Sequence, residues 1–191
     1  MPVQIVALVG SLRAGSHNRQ LAEAAAKLVP EGAELYIHED LENVPFYNED
    51  TDLEGRVPQQ AAALRASVES ADAVLLLTPE YNGAMPAVLK NAIDWLSRPR
   101  GASALDGKPV AVIGASGGQY GGTRALQDAR KTAAAARAAV VEDITLSIPF
   151  SRARFADTHP LDDIEVADQL KSAVARLAQA AGRAADLSVA A

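Results

Sequence analysis

The stretch VALVGSLRAGSHNRQLA, residues 6–22, decides the fold. It starts as an apolar run, passes through a loop of small and polar residues, and continues directly into a helical pattern. The full run VQIVALV, at 3–9, is nearly continuous in aliphatic residues instead of alternating, as a strand covered on both faces reads. It is far shorter than the roughly 20 residues of a membrane span. It also has no cationic flank before it and no small-residue cleavage site after it, so it reads as a buried first strand and not as a leader.

Working outward, AVLLLT (73–78) and PVAVIG (109–114) repeat the same signature, and AELYIH (33–38) and AVVEDITL (139–146) repeat it more weakly. Helical patterns fall between them at 18–29, 57–70, 86–97 and 122–137, with a last one at 162–183; the alanine-rich KTAAAARAAV is a helix former. Five strands alternating with helices predict an α/β chain with a doubly wound parallel sheet and helices on both faces. With five strands, the flavodoxin-like order 2-1-3-4-5 is favoured over a six-stranded dinucleotide fold. A length of 191 residues fits one domain, 1–191. The longest irregular segment, 39–58, carries two prolines and two aromatics and reads as a surface loop near a ligand or partner.

Eighteen basic against 24 acidic side chains give a net charge of −6. No broad basic field is available for nucleic acid or an anionic membrane, so an anionic ligand must be caught by local donors. The absence of cysteine removes disulfides, thiolate metal sites and cysteine nucleophiles, and suits the reducing cytoplasm. His17, His38 and His159 are scattered without metal-ligand spacing, so no metal is expected.

Ligands of such sheets sit outside the carboxyl ends of the strands, and the informative residues fall there three times. In the first loop, Gly10 and Gly15 have phosphate-loop spacing, but Ser16 and His17 stand where a Walker A loop has Lys and then Ser or Thr. The G-x-G-x-x-G fingerprint is also missing. What remains is Ser11, Ser16 and Asn18 as neutral donors, Arg13 as a charged fork, and the amides at the start of the next helix. These suit one terminal phosphate held without metal; Ser16 or Asn18 acting as a plain helix cap is the alternative.

The second loop, opening TPEYNGAMPAVLKNAIDWLSRP (78–99), should be a rigid turn with outward-facing amides that read the edge of a flat heterocycle, Tyr81 forming an aromatic wall. Tyr81 closing the core and Asn82 holding the turn is the competing reading there, and Trp95 reads as core or interface packing. The third loop, GASGGQYGG (114–122), holds five glycines among nine residues, which close approach of backbone to a ligand would explain. Gly114, Ser116 and Gly118 also match the G-x-S-x-G nucleophile elbow, with Asp157 and His159 downstream. A serine hydrolase on Ser116 leaves the other two loops unexplained, and Asp157 and His159 are spaced for a turn rather than a triad.

Taken together, GSLRAGSHNRQLA, LLTPEYNGAMPAVLKNAIDWLSRP and GASGGQYGG resemble the NADPH-dependent FMN reductase family, which includes flavin-dependent quinone, azo-dye and chromate reductases. The resemblance runs over roughly residues 3–146. It implies a flavodoxin-like fold, non-covalent FMN, NADPH or NADH as co-substrate, and a homodimer or homotetramer with the flavin near a subunit interface. By the same resemblance Ser11, Arg13, Ser16 and Asn18 would hold the FMN phosphate. Pro79, Glu80, Tyr81 and Asn82 would line the isoalloxazine, and Ser116, Gly117 and Gly118 would border its other edge. Arg19 is given no direct contact, and His17 is expected to be exposed.

The function expected is transfer of hydride from NAD(P)H through FMN to a quinone, azo compound or similar small acceptor. The flavin would carry the chemistry and no side chain an essential acid or base role, Glu80 being read as a solvated or turn-stabilising carboxylate. A flavodoxin-type electron carrier is the competing class. It is disfavoured by a phosphate loop without a threonine-rich pattern and by an aromatic content of 4%. Arg98 and Arg100 are candidate contacts for a nucleotide 2′-phosphate or simply parts of a solvated turn.

Overall fold

Each apolar run becomes a strand of one parallel sheet. The computed structural model describes residues 1–189. In chain order the elements are β1 (Val3–Val9), α1 (His17–Leu28), β2 (Ala33–Ile37), α2 (Gln59–Glu69), β3 (Ala73–Leu77), α3 (Ala87–Leu96), β4 (Pro109–Ala115), α4 (Thr123–Ala135), β5 (Ala139–Val140), β6 (Ser147–Ile148), α5 (Ser151–Arg154) and α6 (Ile164–Val189). The strand order is β2-β1-β3-β4-β5, every pair parallel, as the flavodoxin-like reading expects.

The fifth position departs from the expectation. Instead of one strand over 139–146, β5 ends at Val140, the chain turns at Glu142 and Asp143, and β6 rejoins the same neighbour further along, Gly114 opposite Ser147. Two adjacent carboxylates have no place in a covered strand, and both turn out to arginines: Glu142 to Arg130 at 3.1 Å and Asp143 to Arg176. The short α5 is likewise new, and α6 runs past the expected 183.

Alternation along the strands builds two cores. Val6, Leu8, Val74, Leu76, Val110 and Val112 face α2, α3 and α4. Ile5, Ala7, Leu75, Leu77, Ala111 and Ile113 face α1 and α6. Because both faces are covered, neither set can be polar, which is why these runs look continuous in sequence.

The segment 39–58 is clamped rather than loose. The Asn91 side chain accepts from Tyr47 N–H at 2.8 Å and donates to Pro45 O at 3.0 Å. The Trp95 indole N–H donates to the same carbonyl at 2.8 Å, with its ring fully buried between Tyr47 edge-on and the Arg65 guanidinium. Arg65 also pairs with Asp52 at 2.8 Å and holds that carboxyl below its usual range. Trp95 is therefore a core residue whose polar edge is spent on the loop.

The carboxyl ends of β1, β3, β4 and β6 lie at one edge, and a glycine sets how closely two of them approach. A β-carbon on Gly114 would overlap the Thr78 carbonyl oxygen and press on Leu126. Gly114 thus lets the chain leaving β3 lie directly against β4, where Thr78 N–H donates to Ile113 O at 3.0 Å.

Gly114→Ala is expected to destabilise the fold by about 1–3 kcal/mol, the cost of overpacking against an immovable backbone. At about 2–4 °C per kcal/mol for a chain of this size, the drop should be plain in a thermal melt. Gly182→Ala is the matched control: its β-carbon enters open space in α6. That variant should hold or gain stability, by about 0.5–1 kcal/mol.

Candidate functional site

A cleft of about 450 Å³ opens at the carboxyl edge, within the ~300–1,000 Å³ range of small-molecule sites. It gathers Ser11, Arg13, Ser16 and Asn18 from the first loop, Pro79, Glu80 and Tyr81 from the second, and Ser116, Gly117 and Gly118 from the third. Asn82 is the one predicted residue that does not line it. His17, Ala115, Ser151 and Arg152 line it without having been expected. A larger hollow of about 520 Å³, lined by Lys90, Arg98, Arg100, Lys131 and Arg137 among others, receives nothing from the three loops and lies toward the other ends of α3 and α4.

The first loop is held from below. Asn18 is buried, its Nδ2 donating to Ala115 O and its Oδ1 accepting from Ala115 N–H, both at 3.0 Å, which fastens the start of α1 to the end of β4. Ser16 caps α1 by accepting from Arg19 N–H at 3.4 Å. Among the described residues, the backbone amides of 12–15 and of His17 and Asn18 donate to no protein acceptor. Orphan amides at a helix start, next to an exposed guanidinium, are an anion-binding arrangement. Among the described residues Arg13 meets only its neighbour, Ala14 O, at 3.1 Å, and no carboxylate. Arg19 points elsewhere, into a bidentate pair with Glu39 and a contact to Glu23.

The second loop is a tight hairpin. Tyr81 and Ala84 exchange backbone hydrogen bonds at 3.0 and 3.1 Å across Asn82 and Gly83, which have φ of 54° and 81°. Two positive φ values in a two-residue connection mark a type I′ turn, for which Asn-Gly is the preferred pair. Asn82 is therefore a turn residue, and Tyr81 stands half-exposed rather than in the core.

Glu80 has a defined task. α4 begins after Gly122, at φ 89°, with no capping side chain of its own. Glu80 Oε2 accepts from Arg124 N–H at 3.1 Å and Ala125 N–H at 3.4 Å, capping that helix from across the chain. Asp128 completes the tie by accepting from Met85 N–H at 3.1 Å.

His17 departs from the expectation of an exposed residue. It is half-buried, edge-on to Phe155, with Nδ1 3.3 Å from Ser151 Oγ. Burial first, then the charges of Arg13 and Arg152, hold its imidazole below the usual histidine range. The hydrolase reading finds no support in the geometry. Ser116 Oγ accepts from Gly118 N–H, while His159 Nδ1 accepts from Leu161 N–H in its own turn; among the described residues no hydrogen bond joins Ser116 to a histidine.

Residues 3–153 match the family model described as NADPH-dependent FMN reductase. The chain is 38% identical over 164 residues to an NAD(P)H-dependent FMN reductase of Pseudomonas aeruginosa, covering 86% of this chain and 76% of that one. To a 2-hydroxy-1,4-benzoquinone reductase of a Burkholderia species it is 46% identical over 121 residues, 63% of this chain and 64% of the relative. Among solved structures, the flavoenzyme FerB, an NAD(P)H:acceptor oxidoreductase of Paracoccus denitrificans, superposes with a TM-score of 0.84 at 30% identity, over 95% of this chain and 98% of that one. With its three loops brought to one cleft on a 2-1-3-4-5 sheet, the chain belongs to the NADPH-dependent FMN reductase family.

Proposed function

We propose that this chain is an NAD(P)H-dependent FMN oxidoreductase that passes hydride through bound FMN to a quinone. The observation that carries this is one cleft lined by residues of all three loops, in which a cationic, amide-rich helix start meets two backbone turns. A terminal phosphate joined to a planar ring needs that pairing. When bound, FMN supplies the redox chemistry, by which NAD(P)H, a proton and a quinone become NAD(P)⁺ and the hydroquinone.

The protein's part is placement. Ser11 and Ser16 offer hydroxyl donors, Arg13 a guanidinium and residues 12–15 their amides to the phosphate, while Asn18 keeps that loop in position through Ala115. Pro79, Glu80 and Tyr81 on one side and Ser116, Gly117 and Gly118 on the other flank the ring, with Asn82 shaping the turn. We read the working form as a cytoplasmic homodimer or homotetramer, on the family resemblance and the cysteine-free composition; light scattering on the purified protein tests the assembly. Azo compounds are further acceptors suggested by the same resemblance.

Protein loaded with FMN and freed of excess should keep flavin absorbance, lose it quickly on anaerobic addition of NADPH or NADH, and regain it when a quinone is added. Flavin that stays bound but unreduced would overturn the reductase reading in favour of an electron carrier, and protein that retains no flavin would overturn the site.

Glu80 separates a structural carboxylate from a catalytic one. Since both contacts of its Oε2 are helix-capping amides, Glu80→Ala should lower stability by about 0.5–2 kcal/mol. The pH profile of quinone reduction should keep its wild-type shape; loss of one limb of that profile would identify Glu80 as an acid or base.

A further inference from the structure

The cleft has a wall that the sequence did not predict. β6 ends at Ile148, and the chain that follows is stitched to the third loop: Ser116 N–H donates to Ile148 O at 3.1 Å, Phe150 N–H to Gly118 O at 3.1 Å, and Ser151 N–H to Ser116 O at 3.0 Å. These bonds fix the start of α5 beside the cleft, so Ser151 and Arg152 are carried by the sheet and not by a free loop.

Two contacts hold Arg152 at the edge of the cleft. Its aliphatic stem passes over Gly117, where a β-carbon would lie 3.4 Å from both Cγ and Cδ. Its neighbour Ser151, buried, meets His17 on the other side of the opening, at the first turn of α1. Among the described residues Arg152 has no hydrogen bond or ion pair, whereas Arg154, two residues on, is held by Asp163 at 2.6 Å and Glu165 at 2.7 Å. Arg13, His17 and Arg152 line the same cleft, and after burial the two arginine charges are what hold the imidazole below its usual range. A chain with a net charge of −6 thus leaves, among the described residues, two unpaired forks in one small cleft, which is lined also by first-loop residues with orphan amides.

We infer that Arg152, set by the Ser151–His17 contact and admitted by Gly117, is a second guanidinium arm of the phosphate cradle, binding the FMN phosphate together with Arg13. This rests on the FMN reading above and extends it to residues after β6. A dianionic phosphate can accept from two forks at once, and each charge-assisted bond is stronger than a neutral one.

The test compares FMN with riboflavin, which shares the ring and lacks the phosphate, by quenching of flavin fluorescence on titration with wild-type protein and Arg152→Gln. Arg152 is exposed, and unpaired among the described residues, so the substitution leaves the core untouched. The expected result is an FMN dissociation constant raised about tenfold or more, an unchanged riboflavin constant, and partial recovery of FMN affinity in Arg152→Lys. An unchanged FMN constant in Arg152→Gln, with wild-type binding intact, overturns this inference alone. Equal losses for FMN and riboflavin also overturn it, because Arg152 would then serve the ring. Wild-type protein that binds neither flavin overturns the parent reading and this inference with it.

Discussion

The site depends on how closely three peptide segments approach at the carboxyl edge of the sheet. Gly114 is the tightest of these points: without a side chain it allows the Thr78 carbonyl to rest against β4, and any β-carbon would push the two loops apart. Asn18 does the equivalent on the other side, its carboxamide bonding both the N–H and the carbonyl of Ala115. One missing side chain and one buried carboxamide thereby join segments 36 residues apart (Thr78 and Gly114) and 97 residues apart (Asn18 and Ala115) in a single cleft. The capping of α4 by Glu80 presupposes the same closeness, since it requires the second loop to reach the start of the helix that follows the third.

Electrostatics at this edge oppose the charge of the chain as a whole. Among the described residues six arginines are neutralised by carboxylates where they stand, among them Arg19 by Glu39, Arg65 by Asp52 and Arg154 by Asp163. Among the described residues Arg13 and Arg152 have no carboxylate partner, and beside them the His17 imidazole is held below its usual range, first by burial and then by these two charges. A cleft with low-dielectric walls concentrates such a field on its opening, so an acidic protein can attract an anion at one place.

The fold was legible because a covered parallel sheet leaves a strong mark in sequence: short aliphatic runs, each followed by a loop and a helix. β1, β3 and β4 fall where VQIVALV, AVLLLT and PVAVIG put them, to within a residue. The fifth strand was not legible, because AVVEDITL keeps strand-like residues on both sides of two carboxylates, and only the tertiary partners Arg130 and Arg176 reveal that the chain leaves the sheet there. That error concealed part of the site. Had the strand been broken at Glu142 and Asp143, the rule that placed the first three loops would have placed Ser151 and Arg152 at the same edge. The Asn18 clasp, the Glu80 cap and the seating of His17 on Phe155 were beyond sequence reasoning for a simpler reason: each joins residues that only folding brings together.

The segment after β3 serves two ends of the molecule at once. Its front, Pro79 to Tyr81, faces the cleft, while its back, Asn91 and Trp95, lies a helix away and holds the loop after β2 through Pro45 and Tyr47. α3 is the rigid link between them, with Leu89, Ile93 and Leu96 buried against the sheet. A motif serving the cleft alone could have stopped at the type I′ turn. Its continuation through LKNAIDW is accounted for by the second duty: the polar groups of Asn91 and Trp95 satisfy loop backbone that burial would otherwise leave unpaired. The loop after β2 is thereby fixed to the same helix that positions the second wall of the cleft, so the two are held in one frame.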